Sequence, residues 1–250
     1  MNVPGGGGSI AGLTVMTYNL GNGLASPWRL VDLLRTSPAD VVGLQELAPP
    51  QAEAIRDGLQ EAYPHQVLFP TGFSGKGLLS RMPLVTQDQL HFYPDRPDLH
   101  AWVQAPGGAL LVVVAHPPPP KVGWRGLVFD ARAVRQIVSL ARLASANPPA
   151  VLMGDFNMTA RHAVHALLRR RGLRDAFDAA GRGRGATLPL RMGHSSRLRI
   201  RPGPGWPTLF PVARVDYIWH TPDLVALEAW VGADAGSDHL PVLARLAPVR

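Results

Sequence analysis

At 250 residues and 46% hydrophobic content, the chain is long enough to bury a sizeable core as one large domain or two small ones. No stretch approaches the roughly 18 apolar residues of a membrane-crossing helix, and the Gly-rich start lacks the features of a signal peptide, so a soluble, cytoplasmic protein is expected. The lack of cysteine excludes disulfides and thiolate metal sites, while the net charge of +7 suits an anionic partner or simply an arginine-rich composition with lysine only at 76 and 121.

Residues 1–9 read as a flexible Gly-rich tail and residues 10–250 as a single domain. Leu13 to Tyr18 alternates as a strand, and Ser26-Pro27 supplies the cap and first position of a helix to about Arg35. A strand at Asp40 to Gln45 and a helix at Pro50 to Ala62 follow. Short strands are then expected near His65 to Phe69, Gly77 to Ser80, Val85 to Phe92 and His100 to Gln104. Gly107-Gly108 marks a hairpin turn into the apolar run Ala109 to Ala115, a candidate buried central strand. Helical periodicity covers Val128 to Ala146, a strand Ala150 to Met153, and a helix capped by Thr159 runs to Arg171 before Gly172. Strands resume near Val212 to Trp219, Leu224 to Val231 and His239 to Leu246. Two halves, each with several strands and two helices, predict a four-layer α/β sandwich: two packed, mostly antiparallel sheets flanked by helices.

From Ala179 to Val215 there is no acidic residue but seven arginines: 182, 184, 191, 197, 199, 201 and 214. This segment reads either as a phosphate-facing clamp, in which Arg197, Arg199 and Arg201 bind substrate, or as a solvated loop. Trp206 and Phe210 could stack on bases there, or belong to a core or hairpin.

Polar residues end several apolar strands, where side chains leave a sheet and can meet at one rim. Asn19 ends the first strand, Glu46 the second, His116 the run at 112–115, and Asp155-Phe156-Asn157 the strand at 151–154. Asp216 interrupts Arg214 to Ile218, and Ser237-Asp238-His239 opens the last strand. Taken singly, each has an ordinary structural explanation: a turn residue, a helix cap, an Asx-turn or a packed histidine.

Their order and spacing together resemble the endonuclease/exonuclease/phosphatase superfamily, the deoxyribonuclease-I-like fold. The resemblance rests on Thr17-Tyr18-Asn19, Leu44-Gln45-Glu46, Leu79-Ser80-Arg81-Met82-Pro83, Ala115-His116, Gly154-Asp155-Phe156-Asn157, Arg214-Val215-Asp216-Tyr217-Ile218 and Ser237-Asp238-His239. It implies a Mg²⁺-dependent hydrolase of phosphate esters, with Mn²⁺ an acceptable substitute. Glu46 would be the main metal ligand, with Asn19 and Asp238 completing or supporting the site. His239, oriented by Asp216, would contact phosphate or take a proton from water. Asp155 would orient or deprotonate that water, Asn157 would donate to a phosphate oxygen, and His116 would assist the leaving group or bind phosphate. Arg81 either reaches phosphate or is architectural. The substrate implied is nucleic acid or another phosphoester, such as a phospholipid or a sugar or inositol phosphate, because the fold does not fix the leaving group. A non-catalytic binding module is the remote alternative, opposed by the complete set of motif residues.

Overall fold

The computed structural model describes residues 12–124, 126–188 and 211–249. The expected tail and the candidates Arg197, Arg199, Arg201 and Trp206 lie outside these described residues.

In chain order the first half contains β1 (Leu13–Asn19), α1 (Pro27–Thr36), β2 (Val41–Gln45), α2 (Pro49–Gly58) and β3 (His65–Phe69). A 3-10 turn at Gly72–Ser74 leads to β4 (Lys76–Ser80), β5 (Leu84–Leu90), β6 (Asp98–Ala105) and β7 (Gly108–Ala115). A small hairpin, β8 (Lys121–Gly123) and β9 (Gly126–Val128), precedes α3 (Ala131–Ala146) and β10 (Ala150–Asp155). Then come α4 (Ala163–Arg170), β11 (Arg174–Asp175), α5 (Ala176–Ala180), β12 (Asp216–His220), β13 (Leu224–Val231) and β14 (Val242–Pro248).

Two six-stranded sheets result, in the orders β13-β14-β1-β2-β4-β3 and β11-β12-β10-β7-β6-β5. Each has one parallel pair at its centre, β1 with β2 and β7 with β10. All the other pairings are antiparallel. The parallel pairs arise because α1 and α3 carry the chain back across a sheet before the next strand starts. Val15, Val41, Leu78, Val112, Val114, Met153 and Ile218 fill the space between the sheets. On the outer face of the first sheet Leu30, Leu34 and Ile55 of α1 and α2 pack on Met16, Val42 and Leu79. On the second, Ile137, Leu140 and Leu168 of α3 and α4 cover Val113, Leu152 and Trp219. This is the four-layer α/β sandwich expected, and no helix among the described residues is long and apolar enough to cross a membrane.

Two helix starts differ from expectation. The helix expected from Val128 begins at Ala131, because Asp130 is the stronger cap: its carboxylate accepts the Ala133 N–H at 2.8 Å, while Gly126–Val128 pairs as β9. The helix expected after Thr159 begins at Ala163, where the His162 Nδ1 accepts the Val164 N–H at 3.2 Å. The Pro50 to Ala62 helix already ends at Gly58.

Candidate active site

Sheet register brings the rim together. Because β1 and β2 run parallel, Asn19 lies beside Gln45 and hence next to Glu46; the antiparallel β4 starts there too, with Lys76 opposite Gln45. In the facing sheet Gly154 pairs with Ala115, and Asp155 with Asp216, so His116, Asp155 and Asp216 share one end. Strand alternation then aims them. Val15, Leu78, Val114, Met153 and Ile218 point between the sheets. Residues an even number of positions away, Asn19, Lys76, His116, Asp155 and Asp216, point the same way.

Two functional residues take the left-handed conformation, Glu46 (φ 53°) and Asn157 (φ 52°). This costs a non-glycine residue roughly 1–2 kcal/mol and turns each side chain out of its strand line. Gly154 is required for a different reason: a Cβ there would overlap the Ala115 carbonyl oxygen on the parallel neighbour.

Asp155 is the hub. Its Oδ2 accepts from Asn19 Nδ2 at 2.9 Å, and its Oδ1 accepts from the Asn157 backbone N–H at 2.8 Å. The Nε2 atoms of His116 and His239 lie 3.6 and 3.8 Å from Oδ2, and His116 Nε2 is 3.7 Å from Glu46 Oε1. His239 Nδ1 meets Asp216 Oδ2 at 2.9 Å. The loop bearing Asp238 is fixed by Ser237, whose hydroxyl donates to the Asn19 carbonyl at 2.7 Å and accepts the His239 N–H at 3.1 Å. Asn157 Nδ2 donates to the Pro117 carbonyl at 3.1 Å, which ties it to the chain just after His116. The structure therefore brings Asn19, Glu46, His116, Asp155, Asn157, Asp216, Asp238 and His239 to one rim.

Electrostatics follow from crowding. Burial first, then the neighbouring Asp155 and Asp238, push Glu46 up to about 7. Burial and Asp216 also raise Asp155. Burial opposes a charged His239, but Asp216 and Asp155 outweigh it and raise the imidazole above its ordinary range. Burial holds His116 well below that range, helped by the cations Lys76 and Arg96.

These groups fit a divalent cation. Asp155, Asp216 and His239 offer donor atoms all within 4.8 Å of one another, a set able to chelate such an ion. Asp216 Oδ1 is buried without a hydrogen-bond donor. The raised carboxylates Glu46 and Asp155 repel one another in a way that a cation would relieve, and carboxylate oxygens predominate among the donors.

Sequence reasoning missed a supporting layer. Lys76 is almost fully buried, and its ammonium donates to the Ser74 carbonyl at 3.0 Å. Burial lowers it to about 8, with Asp98 the main opposing influence. Asp98, fully buried at the start of β6, accepts the His116 backbone N–H at 3.1 Å and the Gln136 side-chain amide at 2.7 Å, which fixes His116 from behind. The isolated Lys76 in an arginine-rich chain was the available signal.

Arg81 is not brought to the site. It follows Ser80, which pairs with Val41 at the opposite end of β4 from Lys76, about 13 Å away by strand rise. There its guanidinium donates to the Ser37 carbonyl at 2.8 Å and lies over the Tyr63 ring, so of the two readings the architectural one describes its place. Arg182 and Arg214 of the basic segment are likewise engaged, with Glu228 at 3.1 Å and with Asp175 and Asp178 at 2.8 and 2.7 Å.

A buried carboxylate–imidazole cluster able to bind metal, at one end of a four-layer sandwich, fits a hydrolase of phosphoester bonds. The model of the Endonuclease/Exonuclease/phosphatase family matches residues 16–239, and the chain belongs to that family. Among proteins of similar sequence is the uncharacterized protein YbhP of Escherichia coli K12, 26% identical over 93% of this chain and 95% of its own length. Similar solved structures include D. rerio TDP2 complexed with a single-strand DNA product, with TM-score 0.68 and 20% identity over 94% of this chain and 99% of that one. A mannosyl-6-phosphatase of Bacteroides thetaiotaomicron superposes with TM-score 0.65 at 18% identity, over 94% and 99%.

Proposed function

We propose that the protein is a Mg²⁺-dependent phosphodiesterase that hydrolyses nucleic-acid backbones, with Mn²⁺ able to substitute. Glu46, with Asn19 and Asp238 directly or through water, would hold the ion; Asn19 Oδ1 already accepts the Gly21 N–H at 3.0 Å, which suits it to support. When bound, the ion polarises phosphoryl oxygens and offsets charge in the transition state.

The chain's own residues do the rest. Asp155, a raised carboxylate oriented by Asn19 and the Asn157 N–H, takes the proton from the attacking water as its oxygen bonds to phosphorus. The bond from phosphorus to the leaving oxygen breaks, and that oxygen takes a proton from solvent. His239, kept cationic by Asp216, donates to a non-bridging oxygen, as does the second amide N–H of Asn157. His116, held neutral, contributes a hydrogen bond rather than a proton.

One observation carries the choice of a polyanion. Leu188 and Ala213 bridge to each other, and the Leu240 N–H donates to the Thr187 carbonyl at 3.0 Å, one residue from His239. Leu188 and Ala213, which flank in sequence an arginine-rich stretch with Arg191, Arg197, Arg199 and Arg201 and no acid, are thus held next to Thr187, whose partner Leu240 follows His239. The name of TDP2 with its DNA product lends support, while that of the mannosyl-6-phosphatase supports a small phosphoester.

The test is hydrolysis of single-stranded DNA, duplex DNA, RNA and bis-p-nitrophenyl phosphate with Mg²⁺ or Mn²⁺, with EDTA and His239→Ala as controls. Metal-dependent polymer cleavage lost in the variant supports the proposal; cleavage of the small diester alone overturns the nucleic-acid part.

A further inference from the structure

Four aromatic side chains among the described residues are exposed: Trp28 (69%), Phe73 (42%), Phe92 (42%) and Trp124 (89%). Three belong to connections at the catalytic end, and Trp28 to the first turn of α1 there. Trp28 opens α1 just after β1 ends at Asn19, and Ser26 there donates to the Ala235 carbonyl of the Asp238 loop at 2.9 Å. Phe73 lies in the turn before Lys76, Phe92 in the connection from β5 to Asp98, and Trp124 in the hairpin that follows His116. Other exposed apolar residues, such as Val85, Val225 and Leu227, are aliphatic and sit on the edge strands β5 and β13.

The distribution is ordered in a second way. Phe73 precedes β4 of the first sheet, and Phe92 and Trp124 belong to the connections before β6 and after β7 of the second, so these three come from both sides of the gap into which the catalytic side chains point, while Trp28 stands on α1 outside the first sheet. Their loops are braced: Ser74 Oγ donates to the Asp95 carbonyl at 2.6 Å, and Tyr93 Oη donates to Asp130 Oδ2 at 3.2 Å. Cations are interspersed, with the Arg29 guanidinium 5.2 Å from the Trp28 ring centre and Arg96 carrying a buried Nη1 that lacks a partner.

We infer that this face is a stacking platform for single-stranded nucleic acid, with unpaired bases against the rim aromatics and phosphates directed to the catalytic cleft. The inference rests on the nucleic-acid reading above. Exposed rings with neighbouring arginines suit unstacked bases, since every base presents a π-face. A duplex hides those faces and offers its grooves instead, and α1 to α4 lie with their apolar faces against the sheets. A lipid surface calls for rings on one protruding edge, whereas these are divided between the two sides of a cleft.

The experiment is fluorescence anisotropy in EDTA, which reads binding without turnover. It compares labelled (dT)12, an abasic strand with the same number of phosphates, and a 12-base-pair duplex. Stacking on aromatics is worth about 5- to 150-fold per base, so (dT)12 should bind at least about tenfold more tightly than the abasic strand. Phe73→Ala, Phe92→Ala and Trp124→Ala should each weaken (dT)12 by about fivefold or more and leave abasic binding unchanged. Equal binding of all three polymers, or equal losses on the (dT)12 and abasic strands, overturns the inference. So does sedimentation with phosphatidylserine/phosphatidylcholine vesicles that is lost in Trp124→Ala. If no polymer binds while bis-p-nitrophenyl phosphate is still hydrolysed, the nucleic-acid reading itself falls.

Discussion

Two His–Asp clusters lie on opposite faces of β12 and behave in opposite ways. At the rim, the buried Asp155, Asp216 and His239 bring donor atoms within 4.8 Å of one another; against Tyr217 and Trp219 so do His165, Asp175 and the exposed Asp178. The second cluster has its own cation. Arg214 donates to both oxygens of Asp175, at 2.9 and 2.8 Å, and to Asp178 at 2.7 Å. Burial tends to raise Asp175, yet the His165 and Arg214 contacts prevail and hold it below the usual carboxylate range. At the rim no arginine bonds to the carboxylates among the described residues, and Glu46 and Asp155 are pushed up instead. The same residue types make a closed ionic joint in one place and a centre short of positive charge in the other. The supply of a fixed cation separates scaffold from chemistry.

This contrast can be broken from either side. The largest expected effect is on turnover: Glu46→Ala or Asp155→Asn should lower kcat on the preferred phosphoester by about 10³-fold, with the melting temperature unchanged or raised, because a repelling carboxylate has gone. Steady-state kinetics with thermal melts check this; a rate within tenfold of the parent would remove the residue from the mechanism. Arg214→Met should act in the reverse sense. It leaves Asp175 buried with His165 as its remaining charge partner, which should cost up to about 3–5 kcal/mol of stability in urea titrations, while any folded fraction keeps its kcat. Saturating Mg²⁺ at about 100 times its Kd should stabilise the parent by about 2.7 kcal/mol. That gain should survive in a folded Arg214→Lys protein and vanish in Glu46→Ala, so a gain in both would place the ion elsewhere.

The smallest effect is on pH dependence. Glu46 is raised to about 7 in the folded protein and lies near 4.3 when unfolded, so between those values the native state binds more protons. Stability in EDTA should therefore fall as pH rises from about 4.3 through 7, and added Mg²⁺ should flatten that slope. Asp175 has the opposite sign: its contribution is present above about pH 3.9 and is lost only as pH falls through its lowered folded value. Thermal melts across pH 3 to 8 separate the two, and a flat EDTA profile between pH 5 and 7 would contradict the crowding at Glu46.

Much of the rim was legible because it lies at strand ends: an apolar run followed by Asn19, Glu46, His116 or Asp155 states both the strand and its exit. The sandwich followed from the same runs. What could not be read was register. Lys76 is the first residue of a strand, and only its pairing with Gln45 places it behind Glu46. Asp98 matters because Leu90 turns back beside it and β7 ends with His116 within reach of its carboxylate. Arg81 shows the converse, since a motif residue on the right strand stands at its wrong end. Arg214 looked like one more cation in a basic stretch. Its neutralising role depends on Asp175 and Asp178, 39 and 36 residues earlier, which no local pattern connects to it.

The bond from the Ser237 hydroxyl to the Asn19 carbonyl spans 218 residues, and that from Asn19 to Asp155 spans 136. A ribosome emitting this chain releases Asn19 well before Asp155, and Asp155 well before Ser237. Such long-range closures form late in folding. Nascent or truncated polypeptides ending before Ser237 therefore carry no assembled centre.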